Sequence, residues 1–211
     1  MARALVDIES SKQHALVDKN QDLRYRQARA VYEKQLANSN KTAWTADETT
    51  ALVAAFETLR ELAVDGYGKA LFPLATFYAS GWCIEKDPQR ASHFFTLAFE
   101  WCSTHQSEQD AELWFDLALC FIRGLGVQND DNQAVYWIQK SAEQSHALAQ
   151  SELGELYERG RGVDTDFEKA MHWYRKAAEE GNARAQSKLG SLFWAGRYRK
   201  IKRNRILALS W

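Results

Sequence analysis

Residues 147–182 read ALAQSELGELYERGRGVDTDFEKAMHWYRKAAEEGN, and this 36-residue unit recurs along the chain. The preceding copy matches it without a gap, and the copy before that one carries seven extra residues between the repeats. The copies cover about 68–102, 111–146, 147–182 and, in part, 183–211. A period of this length is typical of all-α proteins built from stacked helix-turn-helix repeats.

Each unit predicts two antiparallel helices. Gly160 ends the first helix, because glycine adopts the left-handed conformation without a Cβ penalty. Aspartate then opens the second helix as its N-cap, at Asp87, Asp130 and Asp166. In the second helix the Ala-x-x-Trp spacing predicts that Trp137 and Trp173 are buried between helices.

The region before the first full repeat predicts further helices. Residues 46–65 match a second helix alone and are expected to cap the array. Residues 1–45 predict a helical extension that packs back on the array, the alternative being a mobile charged tail. Its apolar stripe includes Ile8, Leu16, Leu23, Val31 and Leu36. In the first repeat, Pro73 predicts a helix that starts late or kinks.

The composition limits the classes of protein to which this chain can belong. Hydrophobic residues make up 45% and aromatic residues 12% of the chain, which is enough for a packed core. The net charge of −1 argues against a nucleic-acid binder or a polybasic membrane protein. No run of 18 apolar residues and no signal-type leader occurs, so we expect no membrane insertion and a cytoplasmic protein. Three cysteines without paired spacing predict reduced, buried thiols.

The sequence carries no recognisable motif for catalysis, a cofactor or a metal. Gly66-Tyr67-Gly68-Lys69-Ala70 lacks the first glycine and the Ser or Thr of a phosphate loop. The acidic stretches at 129–132 and 164–168 lack the central glycine of an EF-hand, and the five histidines lack metal-ligand spacing. We therefore predict no catalytic residue, cofactor or metal. The basic run from Arg197 to Arg205 is either a solvated loop or a patch for an anionic protein or nucleic acid.

The motif Ala-x-Ala-Gln-x-x-Leu-Gly-x-x-Tyr-x-x-Gly-x-Gly-Val-x-x-Asp-x-x-Lys-Ala-x-x-Trp-Tyr, which begins at Ala147, resembles the Sel-one-like repeat (SLR), a relative of the tetratricopeptide repeat. The resemblance implies a right-handed α-α superhelical solenoid with a concave groove. It also implies a role as an adaptor or scaffold in protein complexes.

The same resemblance places the first helix of each repeat on the concave side. The predicted partner-binding groove comprises Lys69, Phe72, Thr76, Ala79, Ser80, Glu112, Phe115, Leu119, Ile122, Arg123, Leu148, Ser151, Glu155, Glu158 and Arg159. Its apolar members are expected to be free of repeat packing, so they offer a patch for a helix or peptide. Glu155 and Glu158 predict a rim that prefers a basic partner. The alternative is that the N-terminal helix or a second copy of the protein covers the patch.

These patterns favour a protein-protein interaction scaffold or adaptor whose groove binds a partner peptide or helix. A regulatory or spacer subunit of a larger complex and an undetected hydrolase are the alternatives. A homo-oligomer is compatible with each of them, and the partner's identity is not given by the sequence.

Overall fold

The computed structural model of the chain describes residues 2–37, 44–105 and 109–194, with side chains between Lys19 and Leu192. Within these residues the structure is helical and no strand occurs, which confirms the all-α prediction. The α-helices are α1 (Ala2–Ala37), α2 (Ala46–Val64), α3 (Leu71–Ser80), α4 (Pro88–Thr104), α5 (Ala111–Arg123), α6 (Asp131–Glu143), α7 (Ala147–Arg159), α8 (Phe167–Glu179) and α9 (Ala183–Trp194). The chain forms two compact units, and the boundary between them lies within α4, after Ala98.

In the first unit, the C-terminal half of α1 packs into the core. Tyr32 is fully buried, with its ring centroid 6.4 Å from that of Phe77 in α3. The Tyr67 hydroxyl donates a hydrogen bond of 3.0 Å to Asp22. The predicted stripe is wrong in one member, because Leu23 is exposed. The buried face instead passes through Tyr25, Ala28 and Tyr32, which the helical period places on one side.

Local signals predicted the helix ends. Asp130 accepts hydrogen bonds from the amides that follow it at the start of α6, and Asp166 does so at α8. Asp87 caps α4 in the same way, and Pro88 is its first residue. At the end of α7, Gly160 has φ 68°, in the left-handed region. These predictions are confirmed because each cap depends only on residues a few positions away.

Pro73 is accommodated by a delayed helix start. A 3-10 turn occupies Gly68–Ala70, and α3 begins only at Leu71. Pro73 is therefore the third residue of α3, where a backbone N–H has no intrahelical acceptor. The late start confirms the prediction from the sequence.

In the second unit, each helix packs on the next one in the chain: α5 on α6, α6 on α7, α7 on α8, and α8 on α9. Gly154 shows how closely two helices of one repeat approach. A Cβ at this position would lie 2.8 Å from the ring of Tyr174 in α8. The small residue after the repeat leucine therefore makes room for a large one on the partner helix.

One of the two predicted tryptophan anchors is wrong. Trp137 is buried, but Trp173 is only half-buried, while the adjacent Tyr174 is 1% exposed. The buried face of α8 runs through Ala170, Tyr174 and Ala177, at spacings of four and three residues. The large side chain buried by α8 is thus Tyr174, one residue after the tryptophan that the sequence predicts for this role.

Several predictions fall outside the described residues. This group includes the second helix of the fourth repeat and the basic run from Arg197 to Arg205. It also includes Asn38-Ser39-Asn40, a polar run that predicts the end of the first helix.

Candidate functional site

The apolar patch predicted for the groove is part of the core. Phe72, Phe115, Leu119 and Ile122 are all buried. The ring of Phe72 lies edge-on to that of Phe95, with centroids 5.3 Å apart. The prediction that these side chains are free of packing is therefore wrong, because such rings complete contacts inside the folded chain.

The contacts of Phe115 show the role of its position in the first helix of a repeat. Its ring lies 4.8 Å from that of His146, the residue that caps α7. The side chain thus extends from α5 to the start of the first helix in the next repeat, and it is 1% exposed. The position has a packing duty that the spacing within a single repeat does not reveal.

The small polar members of the predicted groove are partly inaccessible as well. Thr76 is buried, and its hydroxyl donates to the Phe72 carbonyl oxygen at 3.1 Å. Ser151 is buried, and its Oγ has no hydrogen-bond partner among the described residues. Ala79 is exposed and Ser80 half-buried. A partner cannot reach the two buried hydroxyls without displacing the surrounding side chains.

Besides Ala79 and Ser80, six predicted groove residues remain accessible to solvent. Arg123 and Arg159 are exposed, and the half-buried ones are Lys69, Glu112, Leu148 and Glu158. Lys69 belongs to the first unit and the other five to the second. In the second unit these five lie on α5 and α7, the first helices of two consecutive repeats.

A network of charges joins α7 to α9. Arg184 of α9 contacts the carboxylates of both Glu152 and Glu155. Lys188, one turn further along α9, lies 3.0 Å from Glu158. Burial lowers the pKa of Arg184, but the two carboxylates beside it raise that pKa by more. The guanidinium is therefore held in its charged form between α7 and α9.

Two further groups complete the network. Arg159 lies 2.7 Å from Glu155, and the Tyr174 hydroxyl donates a hydrogen bond of 2.8 Å to Glu158. Burial, followed by this hydrogen bond, raises the pKa of the Tyr174 phenol. The hydroxyl therefore remains a donor at neutral pH.

The prediction that Glu155 and Glu158 form a rim that prefers a basic partner is therefore wrong. Glu155 is only 8% exposed and is paired with arginines, and Glu158 is paired with Lys188 and Tyr174. Their charges are therefore used inside the chain, so they do not favour a basic partner. The sequence analysis missed Arg184 and Lys188; their four-residue spacing, opposite glutamates three residues apart in α7, is the signal that marks them.

The thiols of Cys83 and Cys120 are poor nucleophiles. Burial, together with the charge of Glu57, raises the pKa of Cys83 to about 11. Burial also raises the pKa of Cys120. In the part of the chain that the structure describes, no cluster of three histidine, cysteine or acidic side chains is arranged for a metal ion. No helix there has an apolar stretch long enough to cross a bilayer.

Comparison with protein-family models finds one family. The Sel1 repeat model matches residues 68–100, 115–146, 147–182 and 183–211, more than half of the chain. No curated protein matches the chain.

Similar solved structures include three bacterial proteins. A Sel1 repeat protein from Oxalobacter formigenes is 29% identical, over 68% of this chain and 56% of that one, with a TM-score of 0.49. A protective antigen of uropathogenic Escherichia coli with an SLR fold is 23% identical, over 80% and 42% of the two chains, with a TM-score of 0.46. An immunity protein from Pseudomonas aeruginosa is 19% identical, over 75% and 68%, with a TM-score of 0.38. The chain spans little more than half the length of the first relative.

Proposed function

Because the chain belongs to the Sel1 repeat family, we propose that it is a scaffold that holds a partner protein on the first helices of its second unit. The partner-binding surface is the α5–α7–α9 row, defined here as the solvent side of these three helices. The role is one of binding, without catalysis. The partner is a peptide or helix of another protein.

The observation that carries the proposal is the continuity of this row. Phe115 of α5 contacts His146 at the start of α7, and Arg184 of α9 contacts two glutamates of α7. Three first helices are therefore fixed side by side within one unit. A row of this kind supports an extended segment or a helix across several repeats.

The accessible side chains on the row indicate the chemistry of the partner. Leu148 is half-buried and offers an apolar contact. Arg123 is exposed, and it has no carboxylate within salt-bridge distance among the described residues. The glutamates of α7 are neutralised by the chain's own cations. The row therefore favours a segment with an apolar residue and an acidic one, rather than a strongly basic segment.

Site-specific photo-crosslinking tests this surface. A crosslinking amino acid is placed at Arg123 or at Leu148, and matched controls carry it at Gln133 of α6 or Glu179 of α8, which are exposed on the second helices. Each protein is irradiated in extract from its source, and the products are identified by mass spectrometry. We expect the same partner at Arg123 and Leu148, and no such product at the controls. A partner captured only from Gln133 and Glu179 would contradict the proposal.

A further inference from the structure

The first unit contains a cavity that includes no residue of the α5–α7–α9 row. Its volume is about 550 Å³, and it is bounded by α2, α3 and the loop that leads into α4. The residues that matter here are Phe56, Arg60, Tyr78, Lys86 and Arg90. Small-molecule sites in proteins commonly have volumes of roughly 300–1,000 Å³. The cavity is thus large enough for a ligand with a single ring.

Two aromatic rings and Ile84 form the apolar part of the lining. The ring of Phe56 meets that of Tyr78 edge-on, with centroids 5.6 Å apart. Tyr78 is also stacked on Phe94, with an interplanar angle of 4° and centroids 5.7 Å apart. Both lining rings are buried, so neighbouring side chains hold their orientation. A flat apolar group entering the cavity would contact the small part of these rings that remains accessible, in an orientation that is already fixed.

Three cations line the same cavity. The Arg90 guanidinium lies 5.7 Å from the centroid of the Tyr78 ring, and its Nε is 3.2 Å from Asp87. Arg60 uses one terminal nitrogen for Glu57, at 2.5 Å. Each guanidinium carries five N–H donors, so both retain donors for an anion.

Lys86 supplies the third cation. Its ammonium has no carboxylate within salt-bridge distance in the described ranges. A Cβ added to Gly81, which has φ 69°, would lie 2.5 Å from Lys86 Cγ. The lysine stem therefore lies against the backbone of Gly81. The next residue, Asp87, donates its N–H to the Tyr78 carbonyl oxygen at 3.0 Å. These contacts fix the loop that carries the ammonium beside the cavity.

The hydrogen-bond donors that remain in the lining are suited to an anion. The lining includes two carboxylates, Glu85 and Asp87, against the three cations. Asp87 already accepts hydrogen bonds from the backbone and the side chain of Arg90. Arg60 is paired in turn with Glu57, which lies outside the lining, so Lys86 and the unused N–H donors of the two guanidiniums are what the cavity offers an anion. Arginine pairs well with planar carboxylates, and the rings take up the apolar body of a ligand.

We propose that this cavity binds a ligand in which a carboxylate is attached to a flat apolar group, that is, an aromatic acid. Two sources carry this chemistry: a free aromatic carboxylate, and a peptide segment with an aromatic residue beside an acidic one. The proposal does not depend on the α5–α7–α9 row, because none of its residues belongs to that row.

Binding is measured by isothermal titration of the full chain with three probes. N-acetylphenylalanine carries both the ring and the carboxylate, N-acetylphenylalaninamide lacks the charge, and acetate lacks the ring. We expect N-acetylphenylalanine to bind at least about tenfold more tightly than either of the other two. Equal affinity for the acid and the amide, or no binding of the acid at about 10 mM, overturns the proposal.

Variants locate the binding to the cavity. Arg60→Gln combined with Lys86→Gln is expected to weaken N-acetylphenylalanine binding about tenfold or more. The matched control, Arg175→Gln, changes an exposed arginine of α8 and should leave the affinity unchanged. Helical circular dichroism checks that each variant folds, and Lys86→Met alone replaces the double variant if that one does not. Wild-type affinity in a folded cavity variant overturns the assignment.

A further titration distinguishes a peptide ligand from a free aromatic acid. The probe is a peptide with acetylated and amidated ends and an internal Phe-Asp pair. Tighter binding of this peptide than of N-acetylphenylalanine supports a peptide ligand. Weaker binding supports a free aromatic acid.

Discussion

Gly162 lies against the main chain of Asp131, such that a Cβ built on Gly162 would stand 2.3 Å from the Asp131 carbonyl oxygen. Asp131 opens α6, and Gly162 lies in the loop between α7 and α8. Consecutive repeats therefore touch through backbone at this point. Arg161 reinforces the contact by pairing with the Asp131 carboxylate and donating to the Ile122 carbonyl oxygen at 3.3 Å.

Gly162→Ala should destabilise the protein for two reasons. Its φ of 66° costs a residue with a Cβ roughly 1–2 kcal/mol, and the added methyl group also meets the Asp131 backbone. Gly181→Ala is the control, because Gly181 has φ 83° with nothing near its Cβ position. Urea denaturation should show a larger loss in the free energy of unfolding for Gly162→Ala than for Gly181→Ala. Equal losses would show that the backbone contact is absent in solution.

Tyr174→Ala and Trp173→Ala test the register of the repeat interface. The fully buried Tyr174 should cost about 3–5 kcal/mol on truncation, in the range found for buried aromatic residues. Trp173 is half-buried, with its ring near Lys176, so its truncation should cost about 1–2 kcal/mol. Chemical denaturation measures both values. A larger loss for Trp173→Ala than for Tyr174→Ala would support the register predicted from the sequence, in which Trp173 is the buried ring.

Phe115→Ala should weaken the fold rather than partner binding alone. Phe115 is buried against His146, so its truncation should lower the free energy of unfolding by about 3–5 kcal/mol. Leu148→Ala, on the accessible row, should cost less than about 1.5 kcal/mol. Thermal and urea unfolding compare the two variants. A Phe115→Ala protein as stable as wild type would mean that the ring is not part of the core.

Arg184→Gln should loosen α9 from α7. The change leaves Glu152 and Glu155 without their shared cation. The Arg184 side chain is 41% exposed, so solvent screening limits the expected loss to about 1 kcal/mol, and the loss should shrink at high salt. Arg175→Gln is the control, since Arg175 is exposed on α8. Urea denaturation at low and high sodium chloride measures the difference; a loss that is the same for both arginines contradicts the network.

Because of Tyr174, we expect the stability of the folded protein to decline in alkaline solution. The pKa of its phenol is raised in the folded chain, while the unfolded chain keeps a value of about 10. The unfolded state therefore loses this proton first, so the free energy of unfolding falls as pH rises above about 10 and is unaffected well below it. Tyr174→Phe should show a shallower decline between about pH 9 and about pH 11. Tyr136→Phe, at an exposed position, is expected to keep the wild-type slope.

Helix ends were predicted well because their causes are local. Asp166 caps α8, Gly160 ends α7 and Pro73 delays α3, as the sequence analysis expected. Each of these effects depends on the conformation of one residue and on amides at most a few positions away. One copy of the repeat is therefore sufficient to predict them.

The candidate site was predicted less well because it depends on distant contacts. Phe115 and Ser151 occupy the same position in consecutive repeats, and both are buried although neither belongs to the repeat motif. Glu155 looks like an open acidic residue until Arg184, 29 positions later, is placed beside it. The spacing of residues within one helix cannot show which neighbour covers a given face.

The amino-acid sequence by itself determined the helical class, the repeat period and the caps, because periodicity and cap chemistry act over one or two helical turns. Only the tertiary structure decided that Tyr174 rather than Trp173 is the buried ring, and that the α7 glutamates are neutralised by α9. Both outcomes follow from how helices are rotated and placed against one another. That placement is set by the packing of many side chains at once.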